Sequence, residues 1–238
     1  MKLQTLNLLK KEIFLGNSIQ TLIWIICSFG MFFIPSYPLY VGPFYITLGI
    51  MLTFALNQSS HDILYTVLLP VKKIDVVKAR FLYCLFLEVL CFAGALIALC
   101  IRKAVSYPDN TAGINPTMAY FGLQMILLAT FNLLFLSNVY KDPIKPGLRF
   151  FLASVVYFLM YAVCEIPVWI YKSTKLQLES GTISELPKIA KVGELLTNSG
   201  MLFFMPQLII LLCGLVIFIL SWYVSFRKAS KIFEKYDL

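Results

Sequence analysis

Two carboxylates lie inside hydrophobic stretches that are long enough to cross a membrane, and they are the first candidates for chemistry. Glu88 follows Arg80 by eight residues, which puts it roughly 12 Å into the membrane at 1.5 Å per helical residue. Glu165 lies near the end of a second stretch, just before Pro167. An ionisable side chain at such depth is costly and indicates a functional role. The alternative is a protonated carboxyl bonded to a neighbouring helix, or a side chain that reaches the membrane surface.

His61 is the only histidine, and it stands beside Asp62. Such a pair could serve in acid–base catalysis, but at the end of an apolar stretch it is more typical of an interfacial pair. The sequence has no G-x-S-x-G, H-E-x-x-H or G-x-x-x-x-G-K-[ST] motif, and these would mark hydrolases, metalloproteases and nucleotide-binding proteins. The six cysteines form no C-x-x-C pair, and with one histidine they make no convincing zinc site. We therefore expect no catalytic site, metal or cofactor in this chain.

The composition indicates an integral membrane protein. Hydrophobic residues make up 60% of the 238 residues, charged residues 13%, and the mean hydropathy is +0.82, whereas soluble domains carry about 25% charged residues. A helix needs about 20 apolar residues to cross the membrane, so the chain has room for about six spans. The net charge is +8. Because the cations are spread over the loops, they indicate membrane topology and contact with the lipid bilayer rather than nucleic-acid binding.

The pattern of apolar stretches predicts an all-α, polytopic helical membrane protein with one domain and six transmembrane helices. Residues 13–60 carry no charge but are too long for one span, and Pro35, Pro38 and Pro43 mark a turn in their middle. Pro167 is expected to break or kink the fifth span. The longest outer loop is 171–200, with a short amphipathic helix over 184–196, and a basic tail follows residue 226. The predicted spans are 18–34, 44–56, 81–101, 118–139, 150–170 and 201–226.

Residues 1–15 are predicted to form an amphipathic helix that lies flat in the inner headgroup layer. Its apolar stripe comprises Leu3, Leu6, Leu9 and Ile13, and Lys11 lies on the opposite side. Of the 20 cations, 14 fall in segments assigned to the inner side of the membrane and six in the outer segments. This bias places both termini in the cytoplasm.

The segment 57–80 separates the second and third spans and carries four of the inner cations. Residues 63–69 are mostly apolar, Pro70 ends that run, and the cationic stretch that follows places Ile74, Val77 and Phe81 on one helical face. This pattern predicts a short surface helix, a proline corner and an amphipathic entry into the third span. Such a segment is suited to be held by a partner from the cytosol.

The same segment resembles the first cytoplasmic loop of ABC-2 type transporter permeases. Members of that family commonly carry an acidic residue at the inner end of span two, a short helix, a Leu-Pro corner with basic residues, an Asp-Ile-Val-like step and a basic residue that opens span three. This chain has one acidic residue where a pair is frequent. The matching residues are Asp62, Ile63, Leu64, Leu68, Leu69, Pro70, Lys72, Lys73, Asp75, Lys78 and Arg80.

The resemblance implies the membrane subunit of an ATP-binding cassette exporter in a bacterial cell membrane, working as a permease homodimer or heterodimer. A separate ATPase subunit would bind ATP and dock on 57–80, and the spans would shift about a central path that Glu88 and Glu165 are candidates to line. By themselves, the residues predict only a six-span membrane protein with a docking loop. Two alternatives stay open: an intramembrane enzyme that uses Glu88, Glu165 or His61, and a non-catalytic membrane partner such as an immunity protein.

Overall fold

A computed structural model of the protein describes residues 3–14, 19–60, 62–68, 70–141, 146–181, 183 and 185–235. Helices account for all the regular structure in these ranges, which confirms the all-α prediction. Short 3₁₀-helices follow α2 and the π-helix Asn132–Leu136 that extends α6. The α-helices are α1 (Leu3–Phe14), α2 (Ile19–Gly30), α3 (Val41–Ser59), α4 (Asp62–Leu68), α5 (Lys73–Ala104), α6 (Met118–Phe131), α7 (Pro146–Glu179), α8 (Lys188–Thr197) and α9 (Met201–Glu234).

Five helical segments within the described ranges are long and apolar enough to cross a membrane: α3, α5, α6 with its extension, α7 and α9. The predicted first span corresponds to α2 and the 3₁₀-helix Met31–Phe33. This stretch becomes a sixth candidate only if it is counted together with α1 as one span, bent by 80°. The chain leaves the helix at Ile34, whose backbone is extended as expected for a residue before a proline.

The long helices extend further than the predicted spans. The amphipathic entry and the third span form one continuous helix, because α5 already begins at Lys73. The predicted basic tail is also helical to Glu234, and it packs against the protein through the rings of Phe233 and Tyr140, whose centroids are 4.8 Å apart. Hydropathy marks the part of a helix that lies in lipid, whereas backbone hydrogen bonding continues past that boundary into water.

Pro167 was predicted to break or kink the fifth span, and it does not break it, because α7 runs through this residue to Glu179. Membrane helices tolerate an internal proline. At this point α8 packs closely on α7 through Gly193, where a Cβ atom would collide with the Pro167 carbonyl oxygen. The helix predicted within 184–196 is therefore present as α8, and it is folded back onto α7.

The N-terminal helix α1 packs on the N-terminal end of α5. This end lies on the side of the membrane predicted to be inner, and inner and outer are used below in that predicted sense. The buried residues are Thr5, Leu8 and Glu12, spaced three and four apart, while Leu6 is 40% exposed. The buried ion pair of Glu12 turns this side of α1 toward the protein. The leucine stripe was predicted to face the membrane, and that orientation stays a prediction.

The helices α6 and α9 pack together more extensively than any other pair in the described part of the chain. Gly122 and Gly214 stand at their crossing, and a Cβ atom at Gly214 would collide with the Gly122 carbonyl oxygen. Small residues allow the two backbones to approach closely. The resulting van der Waals packing stabilises the helix pair in lipid, where the hydrophobic effect does not drive helices together.

Candidate functional site

An ion cluster at the inner end of the bundle joins α1, α4 and α5. Arg80 lies 3.2 Å from a Glu12 carboxylate oxygen through Nε, and its Nη2 binds Asp62. Lys11 Nζ lies 2.7 Å from the other oxygen of Asp62. Arg80 and Glu12 are each only 2% exposed. Burying charges is costly unless they are paired, so the four side chains hold one another in place. We call Lys11, Glu12, Asp62 and Arg80 the inner ion cluster.

Hydrogen bonds from neighbouring polar residues extend the inner ion cluster. Lys11 Nζ donates to Thr66 at 2.6 Å, and Asn57 at the end of α3 donates to Glu12 at 3.4 Å. Thr5 in α1 donates to Asp75 in α5, also at 3.4 Å. The first helix, the end of α3, the short α4 and the start of α5 are therefore fastened together.

The predicted docking residues divide into a partly buried set and an exposed set. Asp62 belongs to the inner ion cluster, while Lys73 and Asp75 are half-buried. His61 and Leu69 lie outside the described residues, as do the side chains of Ile63 and Leu64. The exposed residues described within 62–74, which we call the inner exposed surface, are Tyr65, Leu68, Pro70, Lys72 and Ile74.

Sequence reasoning did not single out every residue at this end of the protein. Tyr65 is 64% exposed and Leu68 77% exposed, so two large apolar side chains of α4 face outward. Lys11 was interpreted only as a charge of an interfacial helix, and Glu12 was not considered. The adjacent opposite charges of Lys11 and Glu12 were the available signal.

Glu88 lies fully buried where α5, α9 and the π-helix Asn132–Leu136 meet. One of its oxygens accepts hydrogen bonds from Asn132 Nδ2 at 3.2 Å and from Trp222 Nε1 at 2.8 Å. The other oxygen and Asn132 Oδ1 accept no hydrogen bond from the described residues. Ser225 donates to the Asn132 backbone carbonyl at 2.9 Å. The carboxyl group is thus bonded to neighbouring helices, and it could hold a proton on its unpaired oxygen. Its place on a transport path stays a prediction.

Glu165 belongs to a separate polar group at the outer end, where α7 holds the loop that follows α5. Its carboxylate accepts a hydrogen bond from the Ile114 backbone amide at 3.1 Å. Trp169 Nε1 donates to the Ala112 carbonyl at 2.8 Å, and Lys172 donates to the carbonyls of Asn110 and Gly113. We call Glu165, Trp169 and Lys172 the outer clamp. The structure does not bring Glu165 and Glu88 together in one hydrogen-bonded group of described residues.

Comparison with known proteins gives the family directly. The family model described as "ABC-2 family transporter protein" matches residues 7–234, which is nearly the whole chain. No match was found among curated proteins or among solved structures. The match agrees with the resemblance carried by the segment 57–80 and covers every helix that could cross the membrane. The chain therefore belongs to the ABC-2 family of transporter proteins.

Proposed function

We propose that this protein is the permease subunit of an ATP-binding cassette exporter and that a separate ATPase docks on the inner exposed surface. The inner ion cluster carries the proposal, because it ties the docking helix α4 directly to a transmembrane helix. The permease would work as a homodimer or with a related permease, together with two ATPases. The excess of cations in the inner segments supports cytoplasmic termini in a bacterial cell membrane.

The geometry suggests how motion would pass from the ATPase to the membrane. Arg80 lies on α5 and binds Asp62 on α4, so a push on α4 acts at once on α5. The helix α5 is continuous over 32 residues, about 48 Å at 1.5 Å per residue. This helix contains Glu88 and ends at the loop that joins it to α6. Lys11 and Glu12 add α1 to the same unit.

An intramembrane enzyme is supported less well. Such an enzyme would need reactive groups that converge on one carboxylate. The hydrogen-bond donors to Glu88 are an amide and an indole, and Glu165 binds a backbone amide. These contacts hold a carboxyl group in position and offer no nucleophile.

The test is recovery of the ATPase with the tagged permease from membranes of cells that make both naturally. The double variant Tyr65→Asp and Leu68→Asp places two charges in the apolar part of the inner exposed surface, where a few residues are expected to carry most of the binding energy. We expect it to insert normally but to lose the Mg²⁺-dependent ATP hydrolysis that co-purifies with the wild type.

The control is Leu176→Asp, which changes an apolar residue of similar exposure, 68%, at the opposite end of the protein. This variant should retain the ATPase. Full recovery of ATP hydrolysis with the double variant would mean that docking occurs elsewhere. Hydrolysis by the pure chain, free of any other protein, would contradict the permease proposal itself.

A further inference from the structure

A cavity of about 700 Å³ opens near the outer ends of α5, α6 and α9. This volume lies within the roughly 300–1,000 Å³ of small-molecule sites, which are typically apolar with a few polar groups. Apolar side chains from all three helices line the cavity, including Phe92, Leu96, Phe121, Met125, Phe204 and Leu211. The cavity is therefore suited to a hydrocarbon or aromatic group.

The cavity is open toward the side of the helix bundle. Leu96 and Phe204 line the cavity and are 52% and 45% exposed. Met201 also lines it and is 99% exposed. In helices that cross a membrane, exposed apolar side chains at this level face lipid. A ligand that is dissolved in the bilayer could therefore enter sideways without crossing water.

The mouth of the cavity is polar and carries a positive charge that is free to bind a ligand. Lys103 is exposed there, and its ammonium group makes no hydrogen bond or ion pair with the described residues. Asp109 also lines the mouth, but both Arg102 and Lys172 interact with it electrostatically. Arg102 is further held by the carbonyls of Phe32 and Pro108.

The start of α9 adds hydrogen-bond donors at the same place. Ser199, Gly200 and Met201 line the mouth, and no side chain caps the first turn of α9. The first amides of a helix have no partner within the helix, and they attract anions. Together with Lys103 they form a polar rim above an apolar cavity.

We propose that this outer cavity binds an amphiphile with an acyl chain and an anionic headgroup, the chain in the apolar lining and the headgroup at Lys103 and the α9 N-terminus. The ligand is either a lipid that resides in the outer leaflet or a lipid-like molecule on its way out. Binding belongs to the permease itself and needs no ATPase, so the proposal goes beyond the proposed function.

The experiment uses the full-length chain in nanodiscs of phosphatidylcholine and a lysophosphatidic acid that carries a photoreactive diazirine in its acyl chain. Cross-linked residues are identified by mass spectrometry. We expect labelling on the cavity faces of α5, α6 and α9. The zwitterionic lysophosphatidylcholine probe should label about tenfold less, because its choline cation offsets the phosphate charge and weakens the attraction to Lys103. Lys103→Gln should reduce labelling by the anionic probe by a similar factor. Lys175→Gln, another exposed cation near the outer end of α7, should not.

A matched pair of variants tests the cavity itself. Leu96→Trp would fill the opening, whereas Leu212→Trp adds the same bulk on α9 outside the cavity, at a residue with the same 52% exposure. Only Leu96→Trp should abolish labelling inside the cavity. Equal labelling of the two variants, or of the two probes, would overturn the proposal. Disulfide formation between two copies through Met201→Cys would overturn it too, because a second protomer would then occupy the opening.

The two sources of the ligand are separated by adding the ATPase and ATP to the reconstituted permease. Loss of bound probe during ATP hydrolysis identifies cargo, and retention identifies a resident lipid. Both outcomes leave the binding site in place. A failure of the ATPase to assemble would bear on the proposed function and not on the labelling of the permease alone.

Discussion

The two ends of α5 are anchored by different kinds of polar contact. At the inner end, Arg80 binds the carboxylates of Glu12 and Asp62, so side chains from three helices hold one another. At the outer end, Arg102 donates to the backbone carbonyls of Phe32 and Pro108, and Lys172 does the same to carbonyls of the following loop.

The difference suggests that the two ends of α5 have different roles. An ion pair between side chains on separate helices transmits a push and resists separation strongly when it is buried. A cation that binds backbone carbonyls instead fixes the local fold of a loop. We infer that α1, α4 and the inner end of α5 move together when a partner acts on α4. The loop at the outer end of α5 keeps its conformation. The predictions below test this contrast, beginning with the largest effect.

The comparison depends on the two clusters lying on opposite faces of the membrane. We expect a membrane-impermeant maleimide to label Asp109→Cys from outside the cell and Lys72→Cys only after the membrane is opened. The unsubstituted chain, which contains six cysteines, supplies the background. Labelling of both positions from the same face would end the six-span topology.

Removing the cation of the inner ion cluster should have the largest effect on stability. Arg80→Ala leaves the buried Glu12 without its partner, and breaking a buried pair costs about 3–5 kcal/mol. Thermal unfolding in detergent measures the loss. Arg80→Lys keeps the charge, but a lysine cannot bind two carboxylates in the way a guanidinium does. Its thermal stability should lie between that of the wild type and that of the alanine variant. An alanine variant as stable as the wild type would show that the cluster does not hold α1 and α4.

Breaking the outer clamp should cost less and act locally. Lys172→Ala removes charged hydrogen bonds to two carbonyls, which are worth about 1.5–3 kcal/mol each at most, and less where water reaches them. The loop between α5 and α6 should become sensitive to proteases, while the ATPase still co-purifies. Lys175→Ala is the control. Loss of the ATPase with Lys172→Ala would contradict the proposed division between the two ends.

Glu88 lies between the two anchors, and its conservative replacement should have the smallest effect on stability. Glu88→Gln retains an oxygen acceptor for Asn132 and Trp222, so we expect a change within about 1 kcal/mol, whereas Glu88→Ala leaves two buried donors unpaired at about 1–3 kcal/mol. If Glu88 couples α5 to α9 during transport, Glu88→Gln should change the ATP hydrolysis rate of the assembled complex. Normal rates in both variants would leave Glu88 a purely structural role.

Much of the fold could be predicted from the sequence, because a membrane helix is recognisable from the length and hydrophobicity of its apolar stretch. The breaks at Pro35 and Pro38 and the corner at Pro70 were equally visible. The ends of α5, α7 and α9 could not be placed, because polar residues beyond the lipid are compatible with either helix or loop. The continuity of α7 through Pro167 could not be predicted either, because an internal proline is compatible both with the end of a helix and with a membrane helix that continues past it.

The candidate site was predictable only in part. The charge and the proline of the segment 57–80 predicted a docking surface for a partner, and docking there stays a prediction. The pairing of Glu12 with Arg80 was hidden, because the two residues are 68 positions apart and no local pattern links them. The hydrogen bond from Trp222 to Glu88 spans 134 positions and was hidden for the same reason. Contacts of this kind arise when helices assemble, and a single sequence carries no record of which faces meet.

The close crossing of Gly122 and Gly214 has a consequence for biosynthesis. The two residues are 92 positions apart, so α6 enters the bilayer long before the ribosome has made its partner. During that interval the groove around Gly122 is empty, and the Asn132 carbonyl lacks its Ser225 donor. A chain that stops before residue 201 would lack α9 altogether, so the backbone around Gly122 would keep no helix packed against it at this crossing.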